Sequence, residues 1–342
     1  MKRIGTILVI LSLFMASFFM LGGCRNIKSQ SSVVIYTSVD QIYAEPILDE
    51  FEKSSGIKVQ AVYDVEAAKT TGLVNRLIAE KNNPQADVFW NGEFAQTILL
   101  KQEGVLTPYQ SPSAQDIPES LIDPEGYWAG AGGRCRVILV NTESMVPEDY
   151  PDSIFDLLDG KYPAQKVGIA YPLFGTTATH AAALYAYLGP EEGKSYFSAL
   201  KDRGVQVVDG NSVVRDMVVD GRLLMGLTDT DDAVAALENG KPVKMIFPDQ
   251  DEMGTLIIPY TTGLVAGGPN PERGQQLIDY LLSSEVEEKI FESGFSQVTV
   301  RPLEIDAEYL PSSGVKGMEV NITEAYEQLE LVKEELRQIF IR

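Results

Sequence analysis

Cysteine and histidine, on which metal sites and nucleophilic enzymes are commonly built, are scarce in this sequence. Its 342 residues include two cysteines, Cys24 and Cys135, and one histidine, His180. Cys24 directly follows an apolar N-terminal run, so only Cys135 is left for the folded body, which excludes an internal disulfide and a cysteine-based zinc site there. A Ser–His–Asp or Cys–His enzyme would need His180. Its place among helical alanines predicts a packed residue instead.

Basic side chains are also few: 28 Lys and Arg stand against 49 Asp and Glu, which makes the formal net charge −21. Proteins bind the phosphates of nucleic acids through basic surfaces, so this balance excludes a nucleic-acid partner. It does not exclude a small anionic ligand, because a local site can oppose the net charge.

A long uncharged apolar run, Ile4–Leu21, follows a basic N-terminus. This order predicts a secretory signal over residues 1–23. Leu21–Gly22–Gly23–Cys24 resembles a bacterial lipobox, which predicts lipidation of Cys24 and an extracytoplasmic, membrane-anchored protein. The alternative is an uncleaved anchor helix, since the run is nearly long enough to span a bilayer. Residues 24–32 are polar and predict a flexible tether.

Strand and helix patterns alternate after residue 32. Apolar strand patterns such as Val33–Ser38 and Asp87–Trp90 are followed by helix patterns. The alternation predicts an α/β fold of mixed, mostly parallel sheets flanked by helices. A glycine-rich stretch before Arg134 indicates a crossover between two lobes. We predict a first lobe over 33–132 and 256–342 and a second over 133–255.

Three carboxylates stand at one predicted strand end. The stretch Gly226–Asp232 joins an apolar strand pattern, Leu223–Leu227, to a helix start, and it contains Asp229, Asp231 and Asp232. Ligands bind at the carboxyl ends of strands in open α/β sheets. One or two carboxylates suffice for a helix cap, whereas three together repel each other and need a cation or a donor. We interpret this turn as a wall of a ligand cleft, with a helix cap as the alternative.

Two further strand-to-helix turns of the second predicted lobe favour anion binding. Gly175, Thr176 and Thr177 begin one helix, and Asn211 and Ser212 begin another. Unpaired N–H groups at a helix start, with hydroxyls beside them, can hold phosphate, carboxylate or carbonate. The alternative for each turn is a plain helix cap.

The first predicted lobe adds polar groups at two strand ends: Ser38 with Asp40, and Asn91 with Glu93. We expect these four side chains to share one edge of a sheet.

Three residues around the predicted crossover receive different predictions. Arg134 follows two glycines, so we expect its guanidinium to reach the cleft and pair with an anion; the alternative is a surface salt bridge. Arg136 lies deeper in the strand and is predicted to be structural. Cys135 alternates with the two arginines and is predicted to be buried and inert.

Longer stretches make the chain similar to a known family. They include VVIYTSVDQIYAEPILDEFEKSSGIKV, ADVFWNGEFAQTILLKQEGVLTPY, YPLFGTTATHAAALYAYLG and DGNSVVRDMVVDGRLLMGL. These resemble the extracytoplasmic solute-binding proteins of ABC importers, in the group of the ferric-iron-binding proteins. The resemblance implies a type II periplasmic-binding-protein fold, in which two lobes joined by two crossover strands close over a ligand. It also implies delivery to a permease with a cytoplasmic ATPase, and we expect a monomer.

The iron site of that family transfers only in part. Where iron-binding relatives carry two adjacent tyrosines, this chain has Asp231 and Asp232. A histidine of some relatives falls on Asp40, and a glutamate falls near Gly92, one residue from Glu93. The resemblance thus implies a metal site of Asp40, Glu93, Asp231 and Asp232 that lacks the tyrosine pair of the iron-binding relatives.

The anion half of the family site transfers better, because Gly175–Thr177 and Asn211 fall where relatives bind a synergistic anion, and Arg134 matches an arginine at the cleft. Four tyrosines are candidate phenolate donors, although none matches the missing pair: Tyr36, Tyr43, Tyr171 and Tyr260.

Two cargo hypotheses remain open. In the first, which the resemblance implies through iron(III) transport, the carboxylates bind Fe(III) or a divalent metal, with a synergistic anion. In the second, the Thr and Asn turns and Arg134 bind an organic phosphate or phosphonate; a polyamine is a further candidate. We predict no catalysis and no resident cofactor. Other classes are an exported metal-dependent phosphatase, which the single histidine and the lack of a nucleophile motif disfavour, and a signalling or adhesion lipoprotein.

Overall fold

The computed structural model describes residues 32–64, 71–303, 305 and 307–341. The predicted signal, Cys24 and the predicted tether lie outside the described residues, except that Ser32 begins the first strand. Among the helices of the described ranges, none combines the length and the apolar character that a membrane crossing requires.

Strands and helices alternate as predicted. The strands are β1 (Ser32–Thr37), β2 (Lys58–Tyr63), β3 (Val88–Asn91), β4 (Leu106–Thr107), β5 (Trp128–Asn141), β6 (Val167–Ala170), β7 (Gln206–Val208), β8 (Met225–Asp229), β9 (Val243–Ile246) and β10 (Ile257–Val265). The α-helices are α1 (Gln41–Ser55), α2 (Thr71–Glu80), α3 (Ala95–Gln102), α4 (Gly175–Leu188), α5 (Pro190–Arg203), α6 (Asn211–Val219), α7 (Thr230–Glu238), α8 (Pro271–Leu281), α9 (Ser284–Glu292) and α10 (Ile322–Ile339).

The strands form one path in the order β2-β1-β3-β10-β5-β8-β6-β7, with β4 on β10 and β9 on β5. The outer groups β2-β1-β3 and β8-β6-β7 are parallel. Strands β5 and β10 pair antiparallel in the middle. The predicted α/β class with two crossover strands is confirmed, and the long β5 belongs to both halves of the sheet.

The crossover owes its shape to two adjacent glycines in β5. Gly132 and Gly133 have φ values of 55° and 140°, which L side chains rarely adopt. A Cβ on Gly133 would lie 2.3 Å from the carbonyl oxygen of Ile258 in β10. The pairing of β5 with β10 also shifts between Ile258 and Tyr260. Only glycine permits so close an approach of the two strands at the junction of the lobes.

The predicted lobe boundaries assign helix α10 to the first lobe, but its contacts are not confined to that lobe. It lies along α4 and α5 of the second lobe and also contacts α3 of the first. Val332 and Leu336 are fully buried there, and the Tyr185 hydroxyl donates to Glu335 over 3.1 Å. The division into 33–132 with 256–342 and 133–255 stays a prediction, with α10 in contact with both parts.

Parallel pairing brings the polar strand ends together. The strands β1 and β3 are neighbours, so Ser38 and Asn91 meet at one edge. In the other half, β8, β6 and β7 are neighbours, which places the starts of α7, α4 and α6 side by side. Both groups of strand ends lie beside the crossover.

Candidate functional site

A cavity of about 630 Å³ lies between the two groups of strand ends. One wall comes from the first lobe, one from the start of α4, and a third from α10. Its polar and charged lining consists of Ser38, Asp40, Glu93, Gln96, Arg134, Thr176, Thr179 and Lys333. The structure therefore brings together Ser38, Asp40, Glu93, Arg134, Gly175 and Thr176 of the predicted site.

Behind this lining the second-lobe turns form one hydrogen-bonded cluster. The Thr176 hydroxyl donates to Asp229 Oδ2 over 2.5 Å, and Asn211 Nδ2 donates to the same oxygen over 2.9 Å. The Thr177 hydroxyl donates to Asn211 Oδ1 over 3.3 Å. Asp229 is the N-cap residue of α7, but its side chain makes no cap bond to that helix. The carboxylate thus joins three strand ends instead of capping α7.

Arg136 lies at the centre of this cluster. Its Nη1 donates to Asp229 Oδ1, to Asn211 Oδ1 over 3.1 Å and to Thr176 Oγ1 over 3.2 Å. Its side chain is fully buried, and its Nε and Nη2 have no hydrogen-bond partner among the described residues. A buried guanidinium with two unpaired donors is costly to maintain without a further acceptor.

The sequence predicts a structural Arg136 and a cleft position for Arg134. Arg136 is the register partner of Asp229 across β5 and β8, which explains their contact. The available signal was an arginine two residues from a predicted site arginine on the same strand face. His180 is buried, as predicted. Burial and then the charge of Arg136 hold the pKa of His180 well below its ordinary value.

The three aspartates of the Gly226–Asp232 stretch do meet. Oxygens of Asp229, Asp231 and Asp232 lie within 4.8 Å of one another. Among the described residues, these three form a group of carboxylates close enough together to hold a metal ion. Asp40 and Glu93 are not in it, so the four-carboxylate metal site is not assembled in this structure. Arg134 Nη1 lies 3.1 Å from Asp231 Oδ2.

Each aspartate of the group forms an ion pair with a different arginine. Arg136 pairs with Asp229, Arg134 with Asp231, and Arg215 with Asp232 over 2.9 Å. Burial, followed by the charge of Asp231, raises the pKa of Asp232 to about 6. Arg215 also pairs with Asp216 over 2.9 Å, so its charge is shared between two carboxylates.

The polar groups of the first lobe are largely engaged with one another. Asn91 is buried and accepts from the Ser38 hydroxyl. Its Nδ2 donates to Glu93 Oε1 over 3.3 Å. The Glu93 carboxylate accepts from the N–H groups of Ala95 and Gln96 at the start of α3, over 2.6 and 3.0 Å. Burial raises the Glu93 pKa. This side of the cavity offers a helix-capping carboxylate instead of a ready metal ligand.

Eight predicted ligand residues are not in the cavity lining. Two of them also lie outside the hydrogen-bonded and ion-paired groups described above; the other six, which belong to those groups, are Asn91, Thr177, Asn211, Asp229, Asp231 and Asp232. Ser212 is exposed in the first turn of α6 and does not line the cavity. Tyr260 is buried in β10 with its ring against Trp90 and Phe295 and does not line the cavity either. Burial raises the Tyr260 pKa well above its ordinary value, which disfavours a phenolate ligand. Cys135 is buried, as predicted.

The chain is similar in sequence to a protein family and to several known proteins. The family model described as bacterial extracellular solute-binding protein matches residues 83–310. A periplasmic protein of Salmonella typhimurium named for the binding of 2-aminoethylphosphonate is 28% identical over 276 residues, which are 77% of each chain. Iron uptake protein A1 of Synechocystis is 26% identical over 258 residues, 72% of this chain and 69% of its own.

A solved structure is also similar over most of the chain. The Trichodesmium protein in complex with iron and citrate ligands superimposes with a TM-score of 0.81 at 22% identity, covering 91% of this chain and 100% of its own. This match confirms the fold that the family resemblance implied. The chain belongs to the family of bacterial extracellular solute-binding proteins and is an extracytoplasmic component of an ABC importer, which delivers a small ligand to the permease.

Proposed function

We propose that the cargo of this solute-binding protein is a small organic phosphate or phosphonate, held by its anionic group at the start of α4. The observation that carries the proposal is the Arg136 guanidinium, which is buried behind the cavity lining with two unpaired nitrogens and donates through Nη1 to Thr176 at the cavity wall. The first N–H groups of α4 have no intrahelical partners, and the positive end of the helix dipole favours an anion.

The charges near the cavity support an anionic group. Arg134 and Lys333 line it, and their carboxylate partners, Asp231 and Glu330, lie outside the lining. The Glu93 carboxylate is bonded to backbone N–H groups. The relative named for 2-aminoethylphosphonate is a second line of support, since that compound carries a phosphonate. Asp40 and Glu93, on the opposite wall, are acceptors for an amine or a hydroxyl of the same ligand.

Fe(III) is a second candidate, favoured by the three carboxylates within 4.8 Å and by the iron uptake relative. Oxygen ligands suit Fe(III). Against it, each carboxylate is paired with an arginine, so metal binding would have to displace three ion pairs.

Isothermal titration calorimetry on the purified protein tests the two candidates. We expect saturable 1:1 binding of 2-aminoethylphosphonate or glycerol phosphate and none of Fe(III)–citrate. Thr176→Val keeps the side-chain shape and removes the hydroxyl, so we expect it to weaken binding roughly tenfold or more. Thr142→Val, the same change at an exposed position outside the cavity, is the control.

Binding of Fe(III)–citrate that is lost in an Asp231→Ala, Asp232→Ala double variant would overturn the phosphonate proposal in favour of iron. Binding of neither class would overturn both candidates.

The proposal includes capture without chemical change by a monomer tethered through lipidated Cys24. Incorporation of labelled fatty acid that is abolished by Cys24→Ser would support the tether. If the wild-type chain and Cys24→Ser remained in the membrane fraction to the same extent, lipidation of Cys24 as the tether would be contradicted. Hydrolysis of p-nitrophenyl phosphate by the purified protein would contradict capture alone and favour an exported phosphatase.

A further inference from the structure

We infer that Lys333, on the C-terminal helix α10, is a ligand-contacting residue that binds a second acceptor group on the cargo, away from its phosphate or phosphonate. This inference rests on the proposed function and extends it, because it assigns part of the specificity to a helix outside the strand ends at which the site was sought.

The position of Lys333 follows from how α10 is anchored. Val332 and Leu336 are fully buried, and Phe340 is packed edge-on against Phe197 of α5. Glu335 accepts from Tyr185 of α4. These contacts hold one face of α10 against the second lobe.

A different face of α10 borders the cavity. Leu329 and Lys333 both line it, and residues four apart lie on the same face of a helix. Helix α10 also contacts α3 of the first lobe. Helix α10 therefore forms a third wall that reaches from α4 towards the first lobe.

The ion pair that Lys333 forms with Glu330 is exposed and weak. Its Nζ lies 2.9 Å from Glu330 Oε1, three residues earlier, and the Glu330 side chain is 86% exposed. Exposed ion pairs of this kind contribute little stability, so the ammonium can turn to a ligand acceptor at small cost.

The size of the cavity indicates a cargo that extends beyond the anionic group. Its volume of about 630 Å³ is typical of sites for organic ligands. A tetrahedral phosphate alone is only a few times larger than a water molecule, whose share of liquid volume is about 30 Å³. We therefore expect the cargo to carry, besides its phosphate or phosphonate and any amine bound by Asp40 and Glu93, a carboxylate or hydroxyl that reaches Lys333.

Calorimetric titration with two probes, methylphosphonate and phosphonoacetate, tests this assignment in the full chain. The second probe differs by its carboxylate. We expect Lys333→Ala to weaken phosphonoacetate binding roughly tenfold while methylphosphonate binding changes less than twofold. Lys333→Arg should restore most of the phosphonoacetate affinity, because it keeps the positive charge.

Arg337→Ala is the matched control: it removes a cation from the same helix, paired with exposed Glu334 and outside the cavity. Equal loss of affinity for both probes in Lys333→Ala, or no loss for either, would overturn the assignment while leaving the proposed function in place. If the wild-type chain bound neither probe, nor 2-aminoethylphosphonate or glycerol phosphate, the proposed function would fail, and this inference with it.

Discussion

Asp232 shows how a crowded carboxylate cluster affects the stability of the fold. Burial and the neighbouring charge of Asp231 raise its pKa from 3.8 to about 6, in spite of its ion pair with Arg215. In the unfolded chain the carboxyl has its ordinary, lower pKa. The folded state therefore retains a proton that the unfolded state releases as the pH rises between these two values.

The expected pH dependence follows from this sign. The stabilising contribution of the retained proton is complete below about pH 4 and is lost as the pH rises through about 6. Asp232→Asn should flatten the fall in the free energy of unfolding over this window, measured by urea denaturation at several pH values. Asp220→Asn, at an exposed carboxylate, is the control. An unchanged slope in Asp232→Asn would contradict the assignment.

At the scale of elements, the close approach of β5 and β10 at Gly133 holds the two halves of the sheet together. Gly133→Ala would adopt a φ of 140° and place its Cβ 2.3 Å from the Ile258 carbonyl oxygen. We expect a loss of at least about 1–3 kcal/mol in the free energy of unfolding.

Thermal or urea unfolding measures this loss, with Gly160→Ala as the control. A Cβ on Gly160 would meet no atom within 4 Å, so we expect a change within about 0.5 kcal/mol. Equal stability of the two variants would show that the strands can separate at Gly133 without cost.

At the scale of the whole molecule, one strand path and one bridging helix connect the lobes. Strand β5 pairs in both halves of the sheet, and α10 contacts helices of both lobes. This continuity predicts one cooperative unfolding transition, with equal calorimetric and van't Hoff enthalpies.

A ligand that binds only the folded state should stabilise this whole transition. At 100 times its Kd the expected gain is about 2.7 kcal/mol. Scanning calorimetry with and without 2-aminoethylphosphonate measures it, and Thr176→Val should reduce the gain at the same ligand concentration. Two transitions, of which the ligand moves only one, would show that the lobes unfold separately.

Much of the architecture and part of the site could be predicted from local patterns. Alternating strand and helix patterns require parallel strands, and parallel strands bring their carboxyl ends to one edge. This is why Thr176, Asn211 and Asp229 were identified before their contacts were known. The strand that ends at Asp229 was placed two residues too early, because Thr228 and Asp229 are polar yet buried inside β8.

The sequence by itself determined the class of fold, the family and the polar strand ends, because these depend on residues close together in the chain. Only the tertiary structure decided that Arg136 contacts Asp229, 93 positions away, because strand register cannot be read from a single strand. The tertiary structure also decided that α10 borders the cavity. Helix α10 packs on α4 through contacts such as the hydrogen bond between Tyr185 and Glu335, which are 150 positions apart. An amphipathic pattern shows that a helix buries one face, but not which neighbour covers it.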